Sequence, residues 1–199
     1  MKKFFVILLF TLPFYAQAQR FNGGILFGIT ASQIDGDRYA GYNKGGLTGG
    51  VFVNTPVTNN LSAQMELKYI GKGAAAKNNV DNTGYYRAKL QYIEMPLLLK
   101  YKLKRNFIPE AGTGLGYLFK AGLDLDGNGY YPYDPPLNNF ELSMILGISY
   151  EAFTNFFMNA RFSYSLIPIR RYETGLPSYV VSGFYNNVLS FSLYYQFGK

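Results

Sequence analysis

The segment 140–151 alternates between apolar residues on one face and mostly polar or small residues on the other, and this pattern constrains the fold more than any other feature of the chain. It reads F-E-L-S-M-I-L-G-I-S-Y-E. A period of two is that of a β-strand with two unlike faces. Seven further segments show the same period, which behind an export signal predicts a small β-barrel with lipid outside and a polar interior.

The N-terminus has the parts of an export signal. Lys2 and Lys3 precede an apolar run over residues 4–14 and the small-x-small triplet 16–18. We expect residues 1–18 to be a cleaved signal peptide and residues 19–199 to form a single outer-membrane β-barrel domain. The alternative is a retained membrane anchor, but the apolar run is shorter than the roughly 20 residues that a spanning helix needs.

The segments between the predicted strands alternate in length, long then short. This rhythm is typical of an all-β, eight-stranded antiparallel up-and-down transmembrane barrel with short periplasmic turns and long external loops. It predicts an outer-membrane protein of a Gram-negative cell with both termini in the periplasm. The predicted strands are 21–32, 45–54, 61–72, 92–103, 107–119, 140–151, 156–167 and 187–198.

Charged residues avoid the face predicted to meet lipid. A Lys or Arg at the midplane of that face costs about 2–4 kcal/mol. Since an eight-stranded interior is just wide enough for side chains to fill it, charges on the opposite face must pair. We predict a buried ion-pair network in the lumen that fixes strand register, with a proton or ion path as the alternative. Its members are Glu66, Lys68, Glu94, Lys100, Glu110, Glu141, Glu151 and Arg161.

The strands of a soluble eight-stranded barrel of lipocalin type also alternate apolar and polar residues, but there the apolar residues face the interior. Two details favour the membrane barrel. The polar face is rich in glycine, which makes room inside a narrow barrel. Aromatic residues also fall at both strand ends, as girdles do. The two predicted girdles are Tyr69, Tyr117, Phe119, Phe140 and Tyr164 beside the long loops, and Tyr101, Phe107, Tyr150, Phe156, Tyr195 and Phe197 at the opposite ends.

Composition argues against most catalytic and nucleic-acid functions. The chain has no His and no Cys, so the usual general bases, thiol nucleophiles and thiolate metal sites are missing. The net charge of +7 falls to about +5 when the signal is removed and is scattered, which is not a nucleic-acid footprint. Asp124 and Asp126 resemble the opening of a calcium loop, but the closing Glu is absent, and a Gly/Asn turn is expected. We expect no catalytic residues, metal or cofactor.

The long loops are rich in tyrosine, which supplies contact area at low entropy cost. We predict a ligand or partner surface there, with packing of the loops on one another as the alternative. Arginines and lysines near the same rim are expected to contact phosphates of lipopolysaccharide, beside membrane lipid itself. The tyrosines are Tyr39, Tyr42, Tyr85, Tyr86, Tyr130, Tyr131, Tyr133, Tyr172 and Tyr179.

Five stretches of the chain together resemble the PorT-like small outer-membrane β-barrel proteins of Bacteroidetes. The resemblance implies an eight-stranded barrel whose relatives mostly lack a defined activity, some being linked to a secretion system that exports virulence proteases. The closing stretch also resembles the signal read by the barrel-assembly machinery, through Tyr195 and Phe197, although two residues follow the last aromatic. The stretches are K-G-G-L-T-G-G-V-F at 44–52, L-S-A-Q-M-E-L-K-Y-I-G-K-G at 61–73, L-Q-Y-I-E-M-P-L-L-L-K at 90–100, E-A-G-T-G-L-G-Y-L-F at 110–119 and N-N-V-L-S-F-S-L-Y-Y-Q-F at 186–197.

The leading hypothesis is a non-enzymatic outer-membrane barrel with a closed polar lumen, which presents its loops or associates with envelope partners. One alternative is an accessory subunit of a secretion or uptake complex, with another envelope protein as partner. A second is an outer-membrane hydrolase.

Overall fold

The computed structural model describes residues 21–37, 39–76, 85–103, 106–134, 136–171 and 183–198. The predicted signal peptide lies outside them. The described residues form no α-helix, and none of them belongs to a helix long and apolar enough to cross a membrane. The strands are β1 Asn22–Asp35, β2 Lys44–Pro56, β3 Leu61–Ala75, β4 Arg87–Tyr101, β5 Phe107–Asp124, β6 Phe140–Phe153, β7 Phe156–Ser165, β8 Arg170–Arg171 and β9 Gly183–Gln196.

Eight long strands close into a barrel. Each long strand pairs antiparallel with the next along the chain, and β7 pairs directly with β9. The sheet closes where β1 pairs with β9, from Gly24 opposite Gln196 to Asp35 opposite Tyr185. The two-residue β8 only extends the edge of β9. The predicted eight-stranded antiparallel barrel is therefore confirmed.

Several strands are longer than the sequence pattern predicted. β4 begins at Arg87 rather than at residue 92, β5 continues to Asp124, and β9 begins at Gly183. Backbone pairing continues there although the outward side chains, such as Lys89, are no longer apolar. The pattern of apolar residues therefore marked only the middle part of each strand. β7 in contrast ends at Ser165, two residues early.

The two ends of the barrel differ in their connections. We call the end with the turns 57–60 and 154–155 the short-turn end, and the opposite one the long-loop end. Asn106 and Asn155 have φ of 65° and 66° in the short turns. Asparagine tolerates this left-handed conformation better than most residues, which suits it to tight connections. β1 starts and β9 finishes at the short-turn end.

Large apolar side chains cover the outside of the barrel. Phe27, Leu67 and Leu99 are 61%, 54% and 56% exposed, whereas charged residues of the opposite parity are buried in the lumen. This distribution is the reverse of a soluble barrel, so the lipocalin-type alternative is wrong. Aromatic pairs lie at both ends of the wall, among them Tyr117 with Phe140 at the long-loop end. Phe107 lies against Tyr150 at the short-turn end.

Candidate functional site

Eight charged side chains inside the barrel form one unbranched chain in which the sign of the charge alternates. Four carboxylates and four cations contribute, so the chain is neutral as a whole. It crosses the lumen between strands β3, β4, β5, β6 and β7. From the long-loop end to the short-turn end its members are Glu141, Lys72, Glu94, Lys68, Glu66, Arg161, Glu110 and Lys100.

The upper half of the chain, nearer the long loops, is centred on Lys72. Its ammonium donates to Glu94 Oε1 and Glu141 Oε1, both at 3.0 Å. Lys68 then links the other oxygen of Glu94, at 3.2 Å, to Glu66, at 3.9 Å. Each carboxylate thus lies near at least one cation, which offsets the cost of removing charges from water.

The lower half is centred on Arg161. Its two terminal nitrogens each donate to one oxygen of Glu66 at 2.8 Å, and its Nε donates to Glu110. The guanidinium offers a planar fork that matches a carboxylate in this bidentate geometry. Lys100 completes the chain at 3.2 Å from Glu110. Arg161 also lies over the ring of Tyr194, 5.3 Å from its centroid.

Polar groups satisfy both ends of the chain. Glu141 accepts hydrogen bonds from Ser165 Oγ and Asn186 Nδ2, each at 2.8 Å. At the other end Lys100 donates to Gln64 Oε1 at 3.1 Å. These contacts bring β9 and the start of β3 into the same network, so all charges are held by neighbours on several strands.

Two glycines make room for this network. A Cβ on Gly147 would lie 2.7 Å from Arg161 Cγ and 2.9 Å from Glu110 Oε1. A Cβ on Gly50 would lie 2.7 Å from Lys68 Cβ. These three distances are far inside van der Waals contact, so a larger residue would displace the charged side chains. The glycine-rich polar face therefore serves the close packing of a narrow lumen.

Two apolar clusters share the lumen with the charges, and Tyr194 of the smaller one donates to Glu66 Oε1 at 3.1 Å. At the short-turn end Leu26, Phe52 and Tyr194 pack together, with Phe157 against them. A larger cluster fills the interior at the long-loop end. The sequence pattern indicated a polar interior and missed these residues, although their parity places them there. The larger cluster comprises Ile34, Ile70, Ala74, Ala88, Leu90, Tyr92, Leu118, Leu137, Ile169 and Val188.

A cavity of about 220 Å³ lies at the short-turn end, where Phe52 and Tyr194 of the smaller cluster and Lys100 of the charged chain line it. Lys102 and Glu151 line it and form an ion pair at 2.7 Å. The Lys102 side chain is 53% exposed. Glu151, assigned from the sequence to the buried network, is therefore a rim residue. The strand register shifts between Glu151 and Phe153, and this irregularity lies beyond the closed part of the lumen.

The structure brings together the other seven predicted lumen residues, and it adds Lys72. Lys72 is fully enclosed and bridges two carboxylates. It has the same parity as Lys68 and stood at the last position of a predicted strand. Continuing that parity by two inward positions, through Ile70, would have found it.

The predicted tyrosine surface at the long-loop end divides into two groups. Tyr86 and Tyr133 pack against the larger apolar cluster, and Tyr39 stacks on Tyr86 with ring centroids 4.3 Å apart. Tyr130 and Tyr131 are 45% and 58% exposed. Loop packing thus accounts for the first group, while the second remains available for contact.

The remaining predicted tyrosines have mixed positions. Tyr42 donates to Asn187 Oδ1 at 2.6 Å, and Tyr85 lies beside Arg87. Both are half-buried. Tyr172 and Tyr179 lie outside the described residues.

Asp37 is a buried carboxyl in the first long loop. Burial raises its pKa to about 6, although the backbone N–H of Tyr39 donates to it at 2.8 Å and Tyr86 also hydrogen-bonds to it. Burial likewise raises the pKa of Tyr133 to about 12. These groups belong to the packed interior of the loop region.

Asp124 and Asp126 form a turn. Asp124 accepts from the backbone N–H of Gly127 at 2.8 Å, and Asp126 accepts from that of Asn128 at 3.1 Å. Such contacts are typical of turns in which the side chain caps the backbone. Within the described residues no three acidic side chains gather in a way that would hold a metal ion.

Tyr195 and Phe197, the predicted assembly signal, lie on the outer wall at the short-turn end. Their rings meet edge to face with centroids 5.8 Å apart, and both are about half exposed. The backbone N–H of Phe197 donates to Gly23 O at 2.7 Å, which continues the seam between β1 and β9. This position makes them part of the aromatic band and leaves their role in assembly a prediction.

Comparison with known proteins identifies the family. The chain is similar over 88% of its length to the crystal structure of Neisserial surface protein A, covering 97% of that chain with 15% identity and a TM-score of 0.54. It is similar over 88% of its length to Ail, the attachment invasion locus protein of Yersinia pestis, covering 98% of that chain with 12% identity and a TM-score of 0.50. No curated protein matches in sequence. Since the family model described as outer membrane protein beta-barrel domain matches residues 15–171, the chain belongs to that family of outer-membrane barrels.

Proposed function

We propose that this outer-membrane barrel is a non-enzymatic, non-conducting protein that acts through the surfaces at its ends. The observation that carries the proposal is the neutral chain of eight buried charges, which shares the lumen with two apolar clusters. We infer that such an interior holds the strands in register and excludes a continuous path of water.

Electrostatics explains why this interior should not conduct. A permeating ion would have to separate pairs such as Arg161 and Glu66, and a buried charge that loses its partner is strongly unfavourable. It would also have to cross the larger apolar cluster at the long-loop end, where buried Leu90 and Ile169 offer no polar partner. Both barriers oppose the proton or ion path considered from the sequence.

The same contacts argue against catalysis. The chain lacks His and Cys, and the lumen carboxylates are engaged by cations at 2.8–3.9 Å. Asp124 and Asp126, the remaining candidates for hydrolysis, are held by backbone N–H groups of their own turn. A hydrolase would need a carboxyl free to reach substrate and a second group to activate water.

We assign the long-loop end to the cell exterior and both termini to the periplasm. The alternation of long and short connections supports this orientation, because barrels of this class keep their short turns in the periplasm. In this orientation the hairpin tip after β5 faces outward, with Leu125 and Tyr131 each 58% exposed. Exposed apolar and tyrosine side chains at a loop tip suit contact with another protein.

The finer family assignment is also part of this proposal. The five stretches described above support a PorT-like barrel, and with it an accessory role in a secretion complex as the second candidate. In that role the periplasmic turns or the outer wall, rather than the external loops, would contact the partner.

Conductance tests the sealed lumen. The full mature chain, refolded and inserted into planar lipid bilayers, is expected to show no discrete current steps, while a porin inserted in the same way shows them. Reproducible unit steps from the purified barrel would contradict the proposal.

Crosslinking tests the surface and the orientation together. The chain contains no Cys, so Tyr131→Cys and Thr154→Cys each give one thiol, at opposite ends of the barrel. On whole cells an impermeant thiol reagent is expected to label position 131 only. A photoreactive label at position 131 should capture one reproducible partner protein. Capture of a partner from position 154 but not from position 131 would favour the accessory role in a secretion complex.

A further inference from the structure

We propose that Lys44, Arg87 and Lys89 form a binding site for the phosphate of a lipid headgroup, as carried by lipopolysaccharide in the outer leaflet. The inference rests on the proposed orientation, which places the long-loop end in that leaflet. It goes beyond a general attraction between rim cations and lipid because it assigns three particular side chains to one anion.

The outward face of β4 changes its chemistry along the strand in the order a membrane requires. Ile93 is apolar and 42% exposed, and the next outward residue, Gln91, donates to the hydroxyl of Tyr69 at 3.0 Å. Lys89 and then Arg87 follow, both exposed. Each outward step advances the strand by roughly 7 Å. Lys89 thus lies one step beyond the hydroxyl of a girdle tyrosine, where headgroup phosphates are expected.

Lys44 brings a third positive charge to the same place. It is half-buried at the start of β2, and the charges of Lys89 and Arg87 both act on it. The Lys44 side chain reaches toward them, since a Cβ on Gly73, the residue opposite Lys89 on β3, would lie 3.4 Å from Lys44 Cγ. Three like charges at short range repel one another, and an anion shared among them relieves that repulsion.

The described part of the chain supplies no such anion. None of its ion pairs involves Lys44, Arg87 or Lys89. Asp124 lies opposite Arg87 across the strand pairing, but its Oδ1 accepts the backbone N–H of Gly127. Asp124 is therefore the one nearby carboxylate among the described residues, it forms no ion pair with these cations, and the cluster keeps a net positive charge toward the headgroup layer.

Two tyrosine rings hold the cations in place. Arg87 lies over the ring of Tyr85, 5.2 Å from its centroid, and the Lys89 ammonium lies 5.8 Å from the centroid of Tyr130. A cation over a ring keeps its charge while losing conformational freedom, which prepares it to bind an anion. Tyr130 itself packs against Gly122. A Cβ added to Gly122 would lie 2.9 Å from the Cβ of Tyr130.

Binding of lipid A to the detergent-purified full chain tests the site without relying on orientation. The variant Arg87→Gln/Lys89→Gln removes two of the three charges. The control Lys102→Gln/Arg171→Gln removes two charges outside the cluster, one at the short-turn end and one on β8. Gel mobility of unheated samples verifies that both variants are folded.

We expect bisphosphorylated lipid A to bind the original chain at least tenfold more tightly than its dephosphorylated form. The cluster variant should lose that preference, and the control should keep it. An equal loss in both variants would show a general charge effect and overturn the inference. Equal affinity for both lipids would overturn it too, as would complete competition by inorganic phosphate at matched concentration. None of these results would alter the conductance expected of a sealed lumen, so the two proposals fail separately.

Discussion

Arg161 and Glu66 meet in the centre of the lumen although 95 residues separate them along the chain. Both terminal nitrogens of the guanidinium donate to the two carboxylate oxygens at 2.8 Å. Arg161 comes from β7 and Glu66 from β3, so this contact joins strands that are not neighbours in the sheet. The pair therefore braces the barrel across its interior.

Removal of this guanidinium should strongly destabilise the barrel. Arg161→Met leaves Glu66 and Glu110 buried without their main cation, and we expect the free energy of unfolding to fall by about 3–5 kcal/mol. Urea titration in lipid vesicles, read from gel mobility, measures this change. The matched control is Lys102→Met at the exposed rim pair, with an expected loss of about 0–1 kcal/mol. Equal losses would contradict the account.

A lysine on the outer wall should be costly in proportion to its depth. Leu146→Lys places a charge near the middle of β6, and the expected loss is about 2–4 kcal/mol. Leu103→Lys makes the same change just beyond β4, at the short-turn end, where the loss should be about 0–1 kcal/mol. The same urea titration compares them. Similar costs at both positions would argue that the outer wall does not meet hydrocarbon.

The buried carboxyl of Asp37 should make stability depend on pH. Its pKa is raised from 3.8 to about 6 by burial, so between these values the folded protein holds a proton that the unfolded chain has released. The free energy of unfolding therefore falls as the pH rises from about 4 to about 6. Asp37→Asn should flatten this part of the curve. An unchanged slope in the variant would exclude Asp37 as its source.

Mutation of the aromatic pair at the end of β9 can distinguish a role in assembly from a role in stability. If Tyr195 and Phe197 are read by the barrel-assembly machinery, Tyr195→Ala/Phe197→Ala should reduce the amount of folded barrel in cells several-fold. Refolding of the same variant into vesicles should change little. Tyr150→Ala/Phe107→Ala removes a comparable aromatic pair at the same end of the barrel. An equal defect in cells for this control would make the effect a general one of the girdle.

The sequence predicted the architecture because one physical rule governs every strand. A chain that crosses lipid must alternate apolar and polar residues, so parity alone separates the wall from the lumen. The same rule predicts that Lys72 faces the lumen, because it is the second inward residue after Lys68 on β3. The rule gives no depth along the barrel, so it could not show that Glu151, which keeps the inward parity near the end of β6, pairs with Lys102 at the exposed rim.

The apolar side chains that face inward were harder to predict. Ile145 is only 1% exposed and lies on the face of β6 that carries Glu141 and Ser143. The alternation along β6 predicts that the Ile145 side chain points inward. Which side chains it packs against depends on the lengths of the other strands. The partners of each charge also depend on barrel stagger, which brings Arg161 of β7 to Glu66 of β3. A single sequence fixes which residues face inward, not which of them meet.

Accessibility of single spin labels along β6 tests the central claim most directly, namely that the apolar face meets lipid and the polar face is enclosed. The chain has no Cys, so one thiol at Leu142, Met144, Leu146 or Ile148 can be labelled without background. The account predicts strong collision with oxygen and weak collision with a water-soluble nickel complex at all four positions, and protection from both at Ser143. Strong collision with nickel at the four outward positions would contradict it.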